Sequence, residues 1–451
     1  MNAMGVRWTA EQVLALAPDD ASRRAGSRLG TAGPWSGRGS GEGAVWGLCK
    51  GSGRVPYRTV VDTTGPAYLC ECPSRALPCK HALGLLLLQA SDGTDGGESG
   101  ETVAPDWAGP WLAARRERAG SADARSGSGS AGGPADPEAA RRRAERRAAR
   151  ITAGAEELEQ RLADLLRGGL AAAEQRGYGL WEETAARMVD AQAPGLAGRV
   201  RELGAIPGSG PGWPVRLLEE CALTHLLDRA WLTADRLPAP FATTVRTRVG
   251  LSGAVGGVPV RDHWLVLAQY DAADARLTTR RIWLHGTTSG RTAFLLSYGA
   301  AGRAPGLALP VGAVLDGELT PHEGSGRLRA EPGERFVPVE GPAAPPPGGP
   351  VGSALDAYGR ALREDPWLNS WPVTLSGVVP ARAEYGWQLA DADGREALPL
   401  TSAAQSRPGL WRLVALSGGA PVTVFGECGH RGFTPLAAWS RETPGETVPL
   451  I

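Results

Sequence analysis

Lysine is almost missing from this 451-residue chain: only Lys50 and Lys80 occur, so nearly all the positive charge is arginine. The 48 basic and 48 acidic residues cancel. A chain without net charge is not a polycation made as a whole for nucleic acid, and any basic surface has to be local. No stretch approaches the ~18 uninterrupted apolar residues of a membrane span, and the first residues, MNAMGVRWTAEQ, lack a basic segment followed by an apolar one. The chain therefore reads as soluble and cytoplasmic, with no membrane partner. Neither lysine lies in a GxxxxGK[ST] phosphate loop, HExxH and GxSxG are absent, and the six histidines are scattered. These absences exclude a P-loop ATPase and leave no recognisable catalytic set or small-molecule substrate. The reading is of a non-enzyme, with an unrecognised hydrolase or nuclease in the β-rich half as the alternative.

What is present is apolar material for several cores, 42% of the chain. The 63 glycines and 36 prolines predict many turns and at least one linker. The expected class is multidomain α+β. Residues 1–39 hold two short helices, the first opened by a Thr9 to Gln12 capping box, and a lead-in. Residues 40–92 pair VWGLC and PYRTVVD as a β-hairpin and follow it with the apolar helix HALGLLLLQA, a small ββα unit. Residues 93–136 have a flexible-linker composition around PDWAGPWLAARRER. Within them GSGSAG at 127–132 matches GxGxxG, but no strand precedes it and it is read as linker. A helical domain is expected at 137–237, with Ile151, Ala155, Leu158, Leu162, Leu165 and Ala172 near one helix face. From 238 the period turns to two. A β-rich domain at 238–340, beginning with TTVRTRVGL, a Pro/Gly linker at 341–350 and a second β-rich domain at 351–451, which includes LWRLVALSG, read as barrels or sandwiches.

One short stretch carries chemistry. CECPSRALPCKH, residues 70–81, holds three of the six cysteines and ends in histidine. Cys70, Cys72, Cys79 and His81 form C-x-C, a six-residue gap, then C-x-H, and Cys₃His is a tetrahedral ligand set for one structural Zn²⁺. A Cys70 to Cys72 disulfide would close a strained ring, and buried apolar cysteines would not alternate with Glu71 and precede Lys80; an iron-sulfur or redox role is the remaining alternative. A single ion would pin the hairpin end to the helix start, and a unit too small to fold on its own would fold with its metal.

This pattern, with the hairpin before it and CPSRALPCKHALGLLLL running into the helix, resembles the SWIM zinc finger over about residues 40–92. The early helices and the spaced tryptophans of PDWAGPWLAARRER further resemble bacterial SWIM-containing proteins with a long uncharacterised C-terminal region. The resemblance implies a DNA-binding or protein-binding accessory module without catalytic activity. It also implies a protein partner, an AAA ATPase of MoxR type or a von Willebrand A-type protein, as the alternative to DNA.

Two basic features would meet such a partner. Lys50, Arg54, Arg58, Arg75 and Lys80 surround the finger, either balancing the minus-one charge of a Zn(Cys)₃His centre or facing phosphate. Arg141, Arg142, Arg143, Arg146, Arg147 and Arg150 crowd ten residues with Glu145 as the single acid, either as a solvated helix start or as a contact for nucleic acid or an acidic protein. A second metal site would join Cys221 and His225, four apart on a helix, to Cys428 and His430; buried cysteines and hydrogen-bonded histidines are the alternative reading. The tryptophans of the β region, Trp264, Trp283, Trp367, Trp371, Trp387 and Trp411, read as core.

Overall fold

The computed structural model of the chain describes residues 8–17, 20–41, 43–51, 55–63, 67–74, 78–92, 103–114, 137–170, 173, 177–251, 257–273, 277–300, 305–322, 328–333, 337–339, 341 and 343–451. Thr9 caps α1 (Ala10–Ala15) with the reciprocal Gln12 box expected of that spacing. Helix α2 (Asp20–Leu29) follows. The expected hairpin is the centre of a four-stranded antiparallel sheet in sequential order: β1 (Trp35–Gly41), β2 (Ala44–Cys49), β3 (Tyr57–Asp62) and β4 (Ala67–Cys70). Cys70 thus ends a further strand and not the hairpin itself. Helix α3 (Lys80–Asp92) lies on this sheet, and its glycine fixes the crossing with α2: a methyl on Gly84 would come within 2.6 Å of Leu29 Cβ. The sheet's other face, with Ala44, Trp46 and Val60, is covered by Ala108 and Leu112 of the tryptophan segment. Of the expected linker, Ala104, Trp107, Ala108, Trp111 and Leu112 therefore pack, whereas 93–102 and 115–136, with GSGSAG, lie outside the described residues.

The helical region comprises α4 (Pro137–Arg167), α5 (Gly177–Asp190), α6 (Pro194–Ala205), α7 (Trp213–Leu232) and α8 (Ala239–Val249). Ile151, Ala155, Leu158, Leu162 and Leu165 are buried in its core as the periodicity requires; Ala172 lies outside the described residues. The sequence reading placed a strand at 243–251, and the structure has α8 there. Prolines at its start, the buried Val245 and Val249 one turn apart, and Gly250 at φ 103° closing the helix outweigh the β-branched composition.

The first β-rich region contains β5 (Val260–Ala273), β6 (Leu277–Gly286), β7 (Thr292–Ala300), β8 (Val314–Pro321), β9 (Ala330–Pro332) and β10 (Val337–Val339), paired in the order β10-β8-β5-β6-β7 with β9 on β8. Phe294 of β7 bridges to Arg329, beside β9, so the sheet curls back on itself as a small barrel around Trp264, Val266, Ile282, Leu284, Leu295, Leu315 and Leu319. That interior and the core between α3 and the four-stranded sheet form one continuous cluster, and Tyr68 of β4 lies close enough to Arg280 to feel its charge. Arg280, only 5% exposed, sits at this seam, bound to both Asp271 oxygens and to the Leu307 carbonyl.

The last region has α9 (Val351–Glu364), β11 (Ser370–Ala383), β12 (Gly386–Asp391), β13 (Ala397–Pro399), α10 (Ser402–Gln405), α11 (Gly409–Ser417), β14 (Val422–Gly429), β15 (Gly432–Trp439) and β16 (Val448–Pro449), in the sheet order β13-β12-β11-β14-β15-β16. Helix α11 occupies the run read as the strand LWRLVALSG. Leu410, Leu413 and Ser417 are buried at helical spacing, and Gly418 at φ 52° ends the helix. The same turn leaves Trp411 62% exposed, against expectation, edge-on to the half-buried Trp387. Trp264, Trp283 and Trp367 are core, and Trp371 is half-buried. Arg248 of α8 grips Asp365 through both carboxylate oxygens at 2.6 to 3.1 Å, and Trp367 donates to the Leu223 carbonyl, which ties the bundle to this region. Among the described residues no helix is long and apolar enough to cross a membrane.

Candidate metal centre

Strand β4 delivers Cys70, the turn after it Cys72, the residue before α3 Cys79, and the first turn of α3 His81. Register fixes the first of these: Thr59 of β3 is directly opposite Cys70, and its hydroxyl lies 3.3 Å from the Cys70 sulfur. The helix fixes the last, since His81 and Cys79 approach from its amino end. The ligand atoms of all four side chains lie within 4.8 Å of one another, and this is the only such group of three or more His, Cys, Asp or Glu among the described residues. A tetrahedron with metal to sulfur bonds of about 2.3 Å has edges of about 3.8 Å, so one ion fits with small side-chain adjustment.

The environment suits a cation. Nδ1 of His81 is 3.6 Å from the Cys70 sulfur, so this nitrogen faces the cluster, and Tyr57 packs on the imidazole with ring centroids 5.0 Å apart. The Ser74 N–H donates to the Cys72 sulfur and the Ala82 N–H to that of Cys79, the backbone donors that stabilise thiolates. Donors this close compete for protons. Hydrogen bonds from Cys70 and Cys79 hold the Cys72 thiol far below its usual range, while Cys70 and Cys72 push Cys79 far above it. Burial opposes charge on His81, but the Cys70 and Cys72 sulfurs outweigh it and push the imidazole up to about 9. A single cation would resolve all of these demands at once, by replacing the shared protons.

A further cysteine stands beside the cluster without joining it. Cys49, at the end of β2, is fully buried; burial, then the neighbouring Cys70, pushes its thiol up to about 11. It remains a neutral thiol and completes the wall. The motif spacing gave no sign of Cys49, Thr59 or Tyr57; only the strand register brings them here.

Around the centre, Lys50, Arg58 and Lys80 are exposed, and Arg58 is paired with Glu71 at 3.6 Å. Arg54 and Arg75 lie outside the described residues. The second metal group is not assembled. His225 bonds Glu159 at 2.6 Å, His430 faces the Tyr358 hydroxyl at 3.4 Å, and Cys221 and Cys428 are core thiols that burial pushes up to about 11. On α4, Arg141 pairs with Glu145 and Arg142 with Glu138, each one turn apart. Arg143, Arg146 and Arg150 are exposed and Arg147 half-buried.

Behind the Cys₃His group in sequence lies the bundle. Residues 146–249 match the family model of the SWIM-associated four-helix bundle domain. The match spans α4 from Arg146 onward and reaches the end of α8, so this last helix belongs with the bundle although the sequence reading closed the helical domain at 237. A Cys₃His group ahead of a SWIM-associated bundle is what a zinc-binding SWIM protein would contain. No curated protein and no solved structure matches the chain.

Proposed function

We propose that the chain is a SWIM-type zinc-finger protein, without catalytic activity of its own, that acts as an accessory factor by binding DNA or a protein. The observation that carries this is the convergence of Cys70, Cys72, Cys79 and His81 within 4.8 Å, ahead of a bundle of the SWIM-associated family. Cys70, Cys72, Cys79 and His81 would hold Zn²⁺, which closes its coordination with protein ligands and so supplies structure in place of a reactive position. The finger's own residues do the rest. Both faces of its sheet are covered, by α3 and by the tryptophan segment, so what it offers a partner is the metal-held edge carrying Lys50, Arg58 and Lys80.

The Arg58 to Glu71 pair favours a protein partner at this edge, because it makes the surface mixed in charge where a phosphate backbone would select uniform positive charge. An AAA ATPase of MoxR type or a von Willebrand A-type protein is the partner class that the SWIM resemblance brings. Capture of partners on the purified chain, before and after chelation, tests the proposal. Partners retained by the wild type and lost by both the chelated protein and Lys50→Ala/Lys80→Ala support it; identical capture in all three would sink it.

A further inference from the structure

Five guanidinium groups converge where the bundle's first helix meets its last. Arg143, Arg146, Arg147 and Arg150 of α4, with Arg246 of α8, line an open cleft of about 880 Å³ between the two helices. Only the α4 members are visible as a run in the sequence; the fold adds Arg246 from about a hundred residues away. Glu145 is the single acid on the lining, and it is already held by Arg141 at 2.9 Å. None of the five is in an ion pair among the described residues. Arg146 and Arg147 donate to the Arg142 and Gly250 carbonyls and Arg150 to the Gln192 amide oxygen, all neutral acceptors, while Arg143 and Arg246 have no hydrogen-bond partner among the described residues. Other arginines of the chain do have acidic partners: Arg161, Arg187, Arg248, Arg261 and Arg280 each sit on a carboxylate. A net-neutral protein that leaves five cations together in one concavity has concentrated its positive potential there.

From this geometry we infer that the cleft between α4 and α8 binds the phosphate backbone of double-stranded nucleic acid without reading its sequence. The inference rests on the proposed role of the chain as a binding protein, but not on the finger being the part that touches DNA. At 1.5 Å per residue, Arg143, Arg147 and Arg150 stand about 6 and about 4.5 Å apart along the helix axis, a row suited to successive backbone charges. Arginine forks engage phosphate through paired N–H donors. No aromatic side chain lines the cleft, so it offers no platform on which an unpaired base would stack, and this favours the duplex over a single strand. It contains no deep apolar pocket for the anchoring side chain of a protein ligand, its apolar members being Ala144, Ala148 and Leu251.

The test is binding of a 20-base-pair duplex of arbitrary sequence to the full chain, followed by fluorescence anisotropy between 50 and 200 mM salt. Arg143→Ala/Arg246→Ala removes two groups that hold nothing in the fold. It should weaken binding at least ~10-fold at 50 mM salt and lower the salt slope by about two, whereas Lys50→Ala/Lys80→Ala should leave both nearly unchanged. Arg143→Lys/Arg246→Lys should restore most of the slope. Wild-type affinity in the cleft variant, or no binding by the wild type at 50 mM salt, overturns the inference. Loss confined to the finger variant would also overturn it while leaving the finger's DNA-binding reading intact. Equal affinity for a poly-glutamate peptide of matched charge would overturn the assignment to phosphate.

Discussion

The finger and the bundle solve the same problem, burying enough apolar surface to fold, in opposite ways. The bundle closes on a core that includes Ile151, Leu158, Met188, Leu196, Leu203 and Leu227, all at most 1% exposed, with Trp367 of the last region packed into it. The finger has a short helix and four short strands, and the side chains that join β4 to α3 at their ends are the thiols and imidazole of the metal cluster. Apolar area closes the bundle, whereas in the N-terminal unit ligation would add to an apolar core that includes Val61, Leu83 and Leu86. The difference teaches where each region is vulnerable, and also where each is free to meet a partner. The finger's faces are covered by α3, the tryptophan segment and the barrel seam, whereas the bundle leaves an arginine cleft open.

Chelation, or Cys79→Ala, should break the comparison most sharply. It removes an interaction on the order of 10 kcal/mol from the finger. Hydrogen exchange should then accelerate throughout β2 to β4 and α3 and remain slow in α4 and α7. The barrel should loosen at its Tyr68 seam, because its interior is continuous with the finger's.

The bundle carries one flaw of its own, and it titrates. Asp228 is fully buried, neither of its oxygens has a hydrogen-bond partner among the described residues, and burial, then the charge of Glu159, pushes its carboxyl up to about 8. Its folded value lies above the ~4 of the unfolded chain, so its contribution is fully present below about pH 4 and is lost as pH rises toward and through 8. Asp228→Asn should flatten the bundle's stability over that interval and, at pH 8, exceed the wild type by on the order of 3 kcal/mol. Denaturant melts at pH 5, 6.5 and 8 check this; parallel wild-type and variant curves would contradict it.

A core truncation makes the complementary cut. Leu158→Ala should cost about 3 kcal/mol in a denaturant melt and leave metal content unchanged, the converse of Cys79→Ala. The smallest effect is expected at the junction between regions. Asp365→Asn weakens the bidentate grip of Arg248, which solvent partly screens on the arginine side, and should lower stability by about 2 kcal/mol, with bundle and C-terminal sheet melting apart where they melted together.

How much of this was legible in the sequence differs between the same two regions. The convergence of Cys70, Cys72, Cys79 and His81 was readable because a ligand set imposes a local spacing, C-x-C and C-x-H, and the capping box at Thr9 and the face from Ile151 to Leu165 were readable because helical periodicity is local too. Cys49, Thr59 and Tyr57 join the centre only through strand register, which no local pattern encodes. Arg246 reaches the α4 arginines only through the bundle's closure. Helices α8 and α11 were misread as strands because Thr, Val and Leu in short apolar runs fit either period; glycines with left-handed backbone at 250 and 418, and burial every third or fourth residue, decide for the helix. The paired Cys221 and His225 illustrate the opposite error: a ligand-like spacing on a helix whose members face different surroundings, one in the core and one toward Glu159.

The central claim is that one ion holds the finger through Cys70, Cys72, Cys79 and His81. Metal analysis of the purified full chain beside its Cys79→Ala variant tests it most directly. The account predicts one zinc per wild-type chain and none in the variant, whose bundle still melts cooperatively. Stoichiometric zinc retained by Cys79→Ala, or a folded finger in a wild-type chain stripped of metal, would contradict it.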